Sequence, residues 1–189
     1  MRRRWIVLAA LLAGVLVLAA TGQTWVTASG LEGSPVPQAT AGGGRVAPVA
    51  TALALVVMAG ALALTTARRV GVVLVGVLMT LAGVVIASTA VTAALDPVAA
   101  AAGAVSELTG TTAPAAAYAV SAWPWVSAAG GVMAAVLGMA TLVVGPRWAA
   151  SRRFESPATA DEPAASAPPS RHVDRMDAWD ELSRGEDPT

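Results

Sequence analysis

The chain has no cysteine and no lysine, and only one histidine, one tyrosine and one phenylalanine among 189 residues. Without cysteine there can be no disulfide, thiolate metal site, iron–sulfur cluster or covalently attached haem. The lone His172 lies in a polar stretch near the C-terminus and reads as a solvated side chain, neither base nor ligand. No serine or threonine in the apolar segments has a histidine partner to activate it. No catalytic, cofactor or metal site is therefore expected, and the chain reads as no enzyme. Charge is scarce as well: 13% of residues are charged and 56% are hydrophobic, whereas a soluble domain carries roughly 25% charged residues. Mean hydropathy is +0.65. The formal net charge is zero and the pI about 6.6, so no basic field exists to attract nucleic acid.

What the chain does have is long apolar runs. A bilayer core about 30 Å thick needs roughly 20 apolar residues in a helix rising about 1.5 Å per residue. Four segments approach this length, at about 5–21, 46–66, 70–95 and 125–145, and none holds Arg, Asp, Glu or His in its apolar core. Barrel strands would instead alternate over about ten residues. The expected fold is all-α: a polytopic four-transmembrane-helix bundle over 1–150, followed by a disordered tail over 151–189. The first segment has a second reading as a cleaved signal peptide, with three arginines, an apolar run and small residues near Ala19-Ala20-Thr21. The length of the run and the weak cut site favour a retained helix.

The arginines set an orientation. Arg2, Arg3 and Arg4 precede the first segment, Arg68 and Arg69 separate the second from the third, and Arg147, Arg152 and Arg153 follow the fourth; Arg45 alone falls on the opposite side. By the positive-inside rule both termini are cytoplasmic in a multi-pass plasma-membrane protein. Trp5 and Trp148 fall at the inner boundary and Trp25, Trp123 and Trp125 at the outer one, where amphipathic indoles anchor a helix at headgroup level.

Two loops face outward. The first, about 22–45, contains Gly30, Gly33, Pro35, Pro37 and Gly42-Gly43-Gly44, and is read as unable to hold a regular element. Its glycine run lacks the Lys-Ser or Lys-Thr of a phosphate loop. In the second, Asp96-Pro97 reads as an N-cap with proline at the first helical position, and Gly110 suits the far end. Val98, Ala101, Ala102, Val105 and Leu108 fall at helical spacing between them, which predicts a short helix over 97–109 along the outer face. Glu107 and the Thr109-Gly110-Thr111-Thr112 run argue against a fifth span there. Trp123-Pro124-Trp125 opens the fourth helix.

The tail divides in two. From Glu155 to Ser170 it is rich in Ala, Pro and Ser and reads as a disordered linker. A short helix is expected at about 171–184, where Val173, Met176, Trp179 and Leu182 recur every third residue and Arg184 stands at the end. Such a helix is marginal alone, and its apolar stripe suits the groove of a cytoplasmic protein partner. Three arginines against six acids from Ser170 to Thr189 disfavour an anionic leaflet. Inside the bundle only hydroxyls are available, at Thr80, Ser88, Thr89, Thr92 and Thr141, so coupling to ions or protons has no residues to carry it. Small-xxx-small pairs at Ala59/Ala63, Gly83/Ala87 and Ala134/Gly138 permit close helix contacts without defining an oligomer.

The layout resembles the actinobacterial tryptophan-biosynthesis-associated membrane protein family. The resemblance is carried by Gln23-Thr24-Trp25, Ala47-Pro48-Val49, Ala52-Leu53-Ala54-Leu55 and above all the stretch from Asp177 to Thr189, DAWDELSRGEDPT. It implies an association with tryptophan biosynthesis and supplies no catalytic residues. Two functions follow as expectations. One is a non-enzymatic scaffold or regulator that docks a cytoplasmic partner through Val173, Met176, Trp179, Leu182 and Arg184. The alternative is a small permease or exporter for a neutral or zwitterionic solute such as an aromatic amino acid.

Overall fold

A computed structural model of the chain describes residues 3–31 and 36–151, with side chains as far as 145. The elements in chain order are α1 (Arg3–Thr21), β1 (Thr24–Ser29), β2 (Gln38–Gly42), α2 (Gly43–Val46), α3 (Pro48–Ala63), α4 (Arg69–Leu95), α5 (Pro97–Thr109), β3 (Ala117–Val120) and α6 (Trp123–Ser151).

The four long helices pack in a ring: α1 touches α3 and α6, and α4 touches α3 and α6. Neighbours run antiparallel. At one end Arg3 Nη2 donates to the Ala67 carbonyl, just past α3, at 3.2 Å. At the other, Gly43 before α3 lies against Thr21 at the end of α1. The helices are rich in valine, which is a poor helix former in water. Here each backbone satisfies itself within its own segment, as lipid demands.

The outer surface of the ring is apolar. Leu8, Leu12, Leu55, Leu62, Leu74, Leu81, Val84, Val132 and Val136 are all exposed, an area water tolerates poorly and hydrocarbon accepts. Three helices, α1, α4 and the Trp123–Gly145 part of α6, are long and apolar enough to cross a membrane. The segment expected as the second span contains α3, which is apolar but at 16 residues shorter than those three.

The inner faces use small side chains, and the seam between α4 and α6 is the closest. A β-carbon on Gly131 would lie 2.7 Å from the Ala87 nitrogen and 2.8 Å from the Gly83 carbonyl oxygen. On Gly138 it would lie 2.6 Å from the Thr80 nitrogen and 2.8 Å from the Gly76 oxygen. Glycines at 131, 138 and 145 of α6 thus recur every seven residues and meet Gly83, Gly76 and Val72 of α4. Close backbone approach of this kind maximises dispersion contact where no hydrophobic effect drives association. Of the small-residue pairs noted in the sequence, Gly83, Ala134 and Gly138 are buried, whereas Ala59 and Ala63 are exposed.

The all-α expectation is corrected at one end of the bundle. Residues 22–45, read above as lacking regular structure, contribute two strands and a short helical turn. The strands form an antiparallel sheet in the order β2-β1-β3, with Thr27 opposite Thr40 on one side and Ala119 on the other, and a bulge between Thr24 and Val26. β1 carries Thr, Trp and Val, and β3 (AYAV) carries Tyr and Val, all of high strand preference; β2 (QATAG) is a poor strand former and owes its conformation to pairing with β1.

The expected short helix is present as α5 and packs on all three strands. The Asp96 carboxylate accepts from the Ala99 nitrogen at 3.0 Å, Pro97 occupies the first turn, and Gly110 ends the helix at φ 68°. Proline supplies the helical φ at no cost in hydrogen bonds, and glycine takes the left-handed closing position.

Candidate functional site

Sheet and α5 form a cap over the end of the bundle where α1 stops and α6 starts. Its core is Trp25, Val26, Ala28, Ala39, Ala41, Ala101 and Val105, all buried. Trp25 is fully buried, and its indole Nε1 donates to the Ala20 carbonyl at 2.8 Å. A β-carbon on Gly43 would fall on the indole ring and come within 2.8 Å of the Thr21 α-carbon. The glycine run in the first loop therefore leaves room for the indole. Trp25, grouped above with the interfacial belt, sits inside the cap and away from its surface. Its position between two polar segments suggested a headgroup anchor; the strand around it turns the ring inward. Of the other belt residues, Trp5, Trp123 and Trp125 are exposed. Trp148 lies beyond the described side chains.

Polar contacts sew the cap together. Ser121 Oγ donates to the Thr24 carbonyl at 2.8 Å and accepts from the Trp123 nitrogen at 3.4 Å, linking β1 to the start of α6. The Tyr118 hydroxyl accepts from the Ala115 nitrogen at 2.8 Å. Gly30, at φ 73°, takes the left-handed region that glycine occupies without strain, and its carbonyl accepts from Ala116.

One feature of the cap has the character of a site. Arg45 on α2 and Glu107 on α5 form an ion pair, with Arg45 Nη2 at 3.1 Å from Oε1 and 2.9 Å from Oε2. Both side chains are more than half exposed, at 67% and 59%. Such a pair contributes about 0–1 kcal/mol to stability. The pair stands at a cavity of about 430 Å³ walled by Val46 and Pro48 on one side and by Ala99, Ala100, Gly103 and Ala104 of α5 on the other. A second cavity, about 350 Å³, lies across α5 between Val98, Ala102, Val105, Pro114 and Tyr118. Gly103 borders both. Nothing lies within 4 Å of where its β-carbon would sit.

The bundle interior offers no comparable constellation. No charged side chain is among the buried residues described. The hydroxyls of Thr80 and Thr141 return to the carbonyls of Gly76 and Leu137, four residues back on their own helices, each at 2.8 Å. Ser88, Thr89 and Thr92 behave likewise. Ser127 Oγ and Thr51 Oγ1 are buried without a hydrogen-bond partner. No group of acidic or histidine side chains suited to a metal ion occurs among the described residues. The tail residues Val173, Met176, Trp179, Leu182 and Arg184 lie outside the described residues, as do the linker and the expected helix at about 171–184.

In the sequence Arg45 and Glu107 stand apart, one as a topological exception and the other as an argument against burial. Their pairing across 62 residues had no local signature. A family model described as tryptophan-associated transmembrane protein matches residues 7–189. No curated protein and no solved structure matches the chain.

Proposed function

The chain belongs to the tryptophan-associated transmembrane protein family, and from that membership we propose that it acts as a non-enzymatic membrane scaffold or regulator for cytoplasmic proteins of tryptophan biosynthesis. In this reading the four helices α1, α3, α4 and α6 all span the plasma membrane, both termini are cytoplasmic, and the cap faces outward. Helical hydrogen bonding past α3, from Ala67 N–H to Ala63 at 3.0 Å, supports a fourth crossing by extending that segment to about 20 residues. Clustering of Arg3, Arg4, Arg68 and Arg69 at the end opposite the cap supports the orientation.

The observation that carries the functional reading is the bundle's self-sufficiency. Its α4–α6 seam is closed by backbone contact, and the hydroxyls of Thr80, Ser88, Thr89, Thr92 and Thr141 are spent on their own helices, which leaves only Thr51 and Ser127 unpartnered among the described buried hydroxyls. A path for a polar solute needs unspent polar groups facing one another, and the described interior supplies none in an array. The function then rests on the parts outside the bundle. In the cytoplasm that part is the tail, with Trp179 and Leu182 at the centre of its apolar stripe.

In-cell crosslinking followed by affinity capture tests this. The full chain is compared with one ending at Ser170. A cytoplasmic biosynthetic protein captured by the full chain and lost with the truncation is the expected result. An identical catch from both forms would overturn it.

A further inference from the structure

We infer that the cavity between α2 and α5 is a binding site for a small zwitterion carrying a primary ammonium and an acid group, of which a free α-amino acid with an apolar side chain is the best fit. Three observations converge on it, and none depends on the proposed role of the tail.

The first is charge. Arg45 and Glu107 place one cation and one anion side by side at the same opening. A ligand whose own acid and ammonium groups sit on neighbouring atoms matches both: the acid faces the Arg45 guanidinium and the ammonium faces the Glu107 carboxylate. The two side chains now satisfy each other, but an exposed ion pair is weak. It separates at little cost, and each member then gains a charge-assisted hydrogen bond to the ligand.

The second is the wall. Val46, Pro48, Ala99, Ala100 and Ala104 supply apolar side chains beside the two charges, in a cleft that is open to the outside and of mixed polarity. The volume, about 430 Å³, lies in the range of about 300–1,000 Å³ typical of small-molecule sites. A neutral sugar would leave both charges unused, and an anion would be repelled by Glu107.

The third is Gly103. It is neither a cap nor a close-packing position: it lies inside α5, away from both ends, and faces open space. A glycine inside a helix is disfavoured relative to alanine, and nothing in the fold compensates for it here. What it does is keep the α5 wall low between the two cavities, leaving room for a ligand's side chain.

The test uses the full chain in nanodiscs of phosphatidylcholine and phosphatidylglycerol, which lack ethanolamine headgroups. Binding of radiolabelled L-leucine, L-phenylalanine and L-tryptophan is measured at equilibrium, with competition by the corresponding amides and N-acetyl derivatives. Saturable binding of at least one amino acid is expected, with each blocked derivative weaker by at least about tenfold, because each loses one charged hydrogen-bonded contact. R45Q and E107Q should weaken binding to a similar degree. G103L fills the open space with a good helix former, so it should abolish binding while leaving the melting temperature unchanged or raised. Dihexanoyl phosphatidylethanolamine presents the same pair of charges; saturable binding of this lipid alone would assign the zwitterion site to a headgroup. Failure of all four ligands to bind would overturn the inference. So would binding that is indifferent to the blocked derivatives, or binding retained in R45Q, E107Q and G103L.

Discussion

Glycine does opposite work in the two halves of this molecule. At the α4–α6 seam, Gly83, Gly131 and Gly138 let two backbones meet at distances that exclude any side chain. In the cap, Gly103 has nothing in front of it, and a cavity opens on either side. The same residue type closes the seam and, at Gly103, leaves the α5 surface open, although Gly43, packed against the Trp25 indole, is a glycine of the closing kind within the cap. Composition cannot distinguish these uses, because what matters is the neighbour and not the glycine. The contrast separates a seam with no space between its helices from a helix surface with open space beside it.

The largest effect that would break this contrast is at the seam. Gly83→Leu drives a side chain into the Ala135 and Gly131 backbones, which cannot yield as a side chain would. The expected loss is about 3 kcal/mol or more, seen as aggregation or a sharply lowered melting temperature on fluorescence-detected size exclusion. Normal folding of this variant would mean that α4 and α6 are not in backbone contact. Trp25→Ala comes next. It empties a fully buried site and removes the indole donor to the Ala20 carbonyl, which keeps only the Gln23 N–H, at a cost of about 3 kcal/mol. The cap should loosen while the bundle holds, so that protease sensitivity rises at residues 24–42 before it rises elsewhere.

Smaller effects sharpen the comparison. Asp96→Ala removes the carboxylate that accepts from Ala99 and should cost about 1 kcal/mol. Asp96→Asn should restore most of it, since amide and carboxylate oxygens both cap. Gly103→Ala should stabilise by about 0.5–1 kcal/mol, because the added methyl meets no atom and alanine is the better helix former. The same change at Gly131 or Gly138 should destabilise. The same sign in both regions by thermal melting would mean that the seam and α5 glycines do not differ in their surroundings. Arg45→Gln should shift stability least, by less than about 1 kcal/mol, since the ion pair is exposed.

Much of the bundle is legible in the sequence for a simple reason: hydrocarbon thickness fixes helix length, and length survives in a hydropathy pattern. Thus α1, α4 and α6 appear where uninterrupted apolar runs predict them, and α5 is bounded by the Asp96-Pro97 and Gly110 signals. The sheet is not legible for two reasons: β2, which follows β1 closely, carries little strand preference of its own, and β3, though it has Tyr and Val, is very short and pairs with β1 from about 90 residues away. The Arg45–Glu107 pair is hidden by the same kind of separation along the chain. In the helices the sequence conceals which face is inside, since both faces are apolar. Ala59 and Ala63 have the same spacing as Ala134 and Gly138, yet one pair faces outward and the other lies in the seam. Spacing supplies candidates, and the packing partner decides among them.

In the proposed function the bundle holds the molecule in the membrane and the work is done outside it, which a measurement of solute flux can decide. The full chain is reconstituted into liposomes and uptake of radiolabelled L-tryptophan, L-phenylalanine and L-leucine is followed against empty liposomes, with and without an imposed proton gradient. Uptake equal to that of empty liposomes is expected under every condition, even where the cap binds the amino acid. Saturable uptake that depends on the protein would contradict it and make the four helices a transport path.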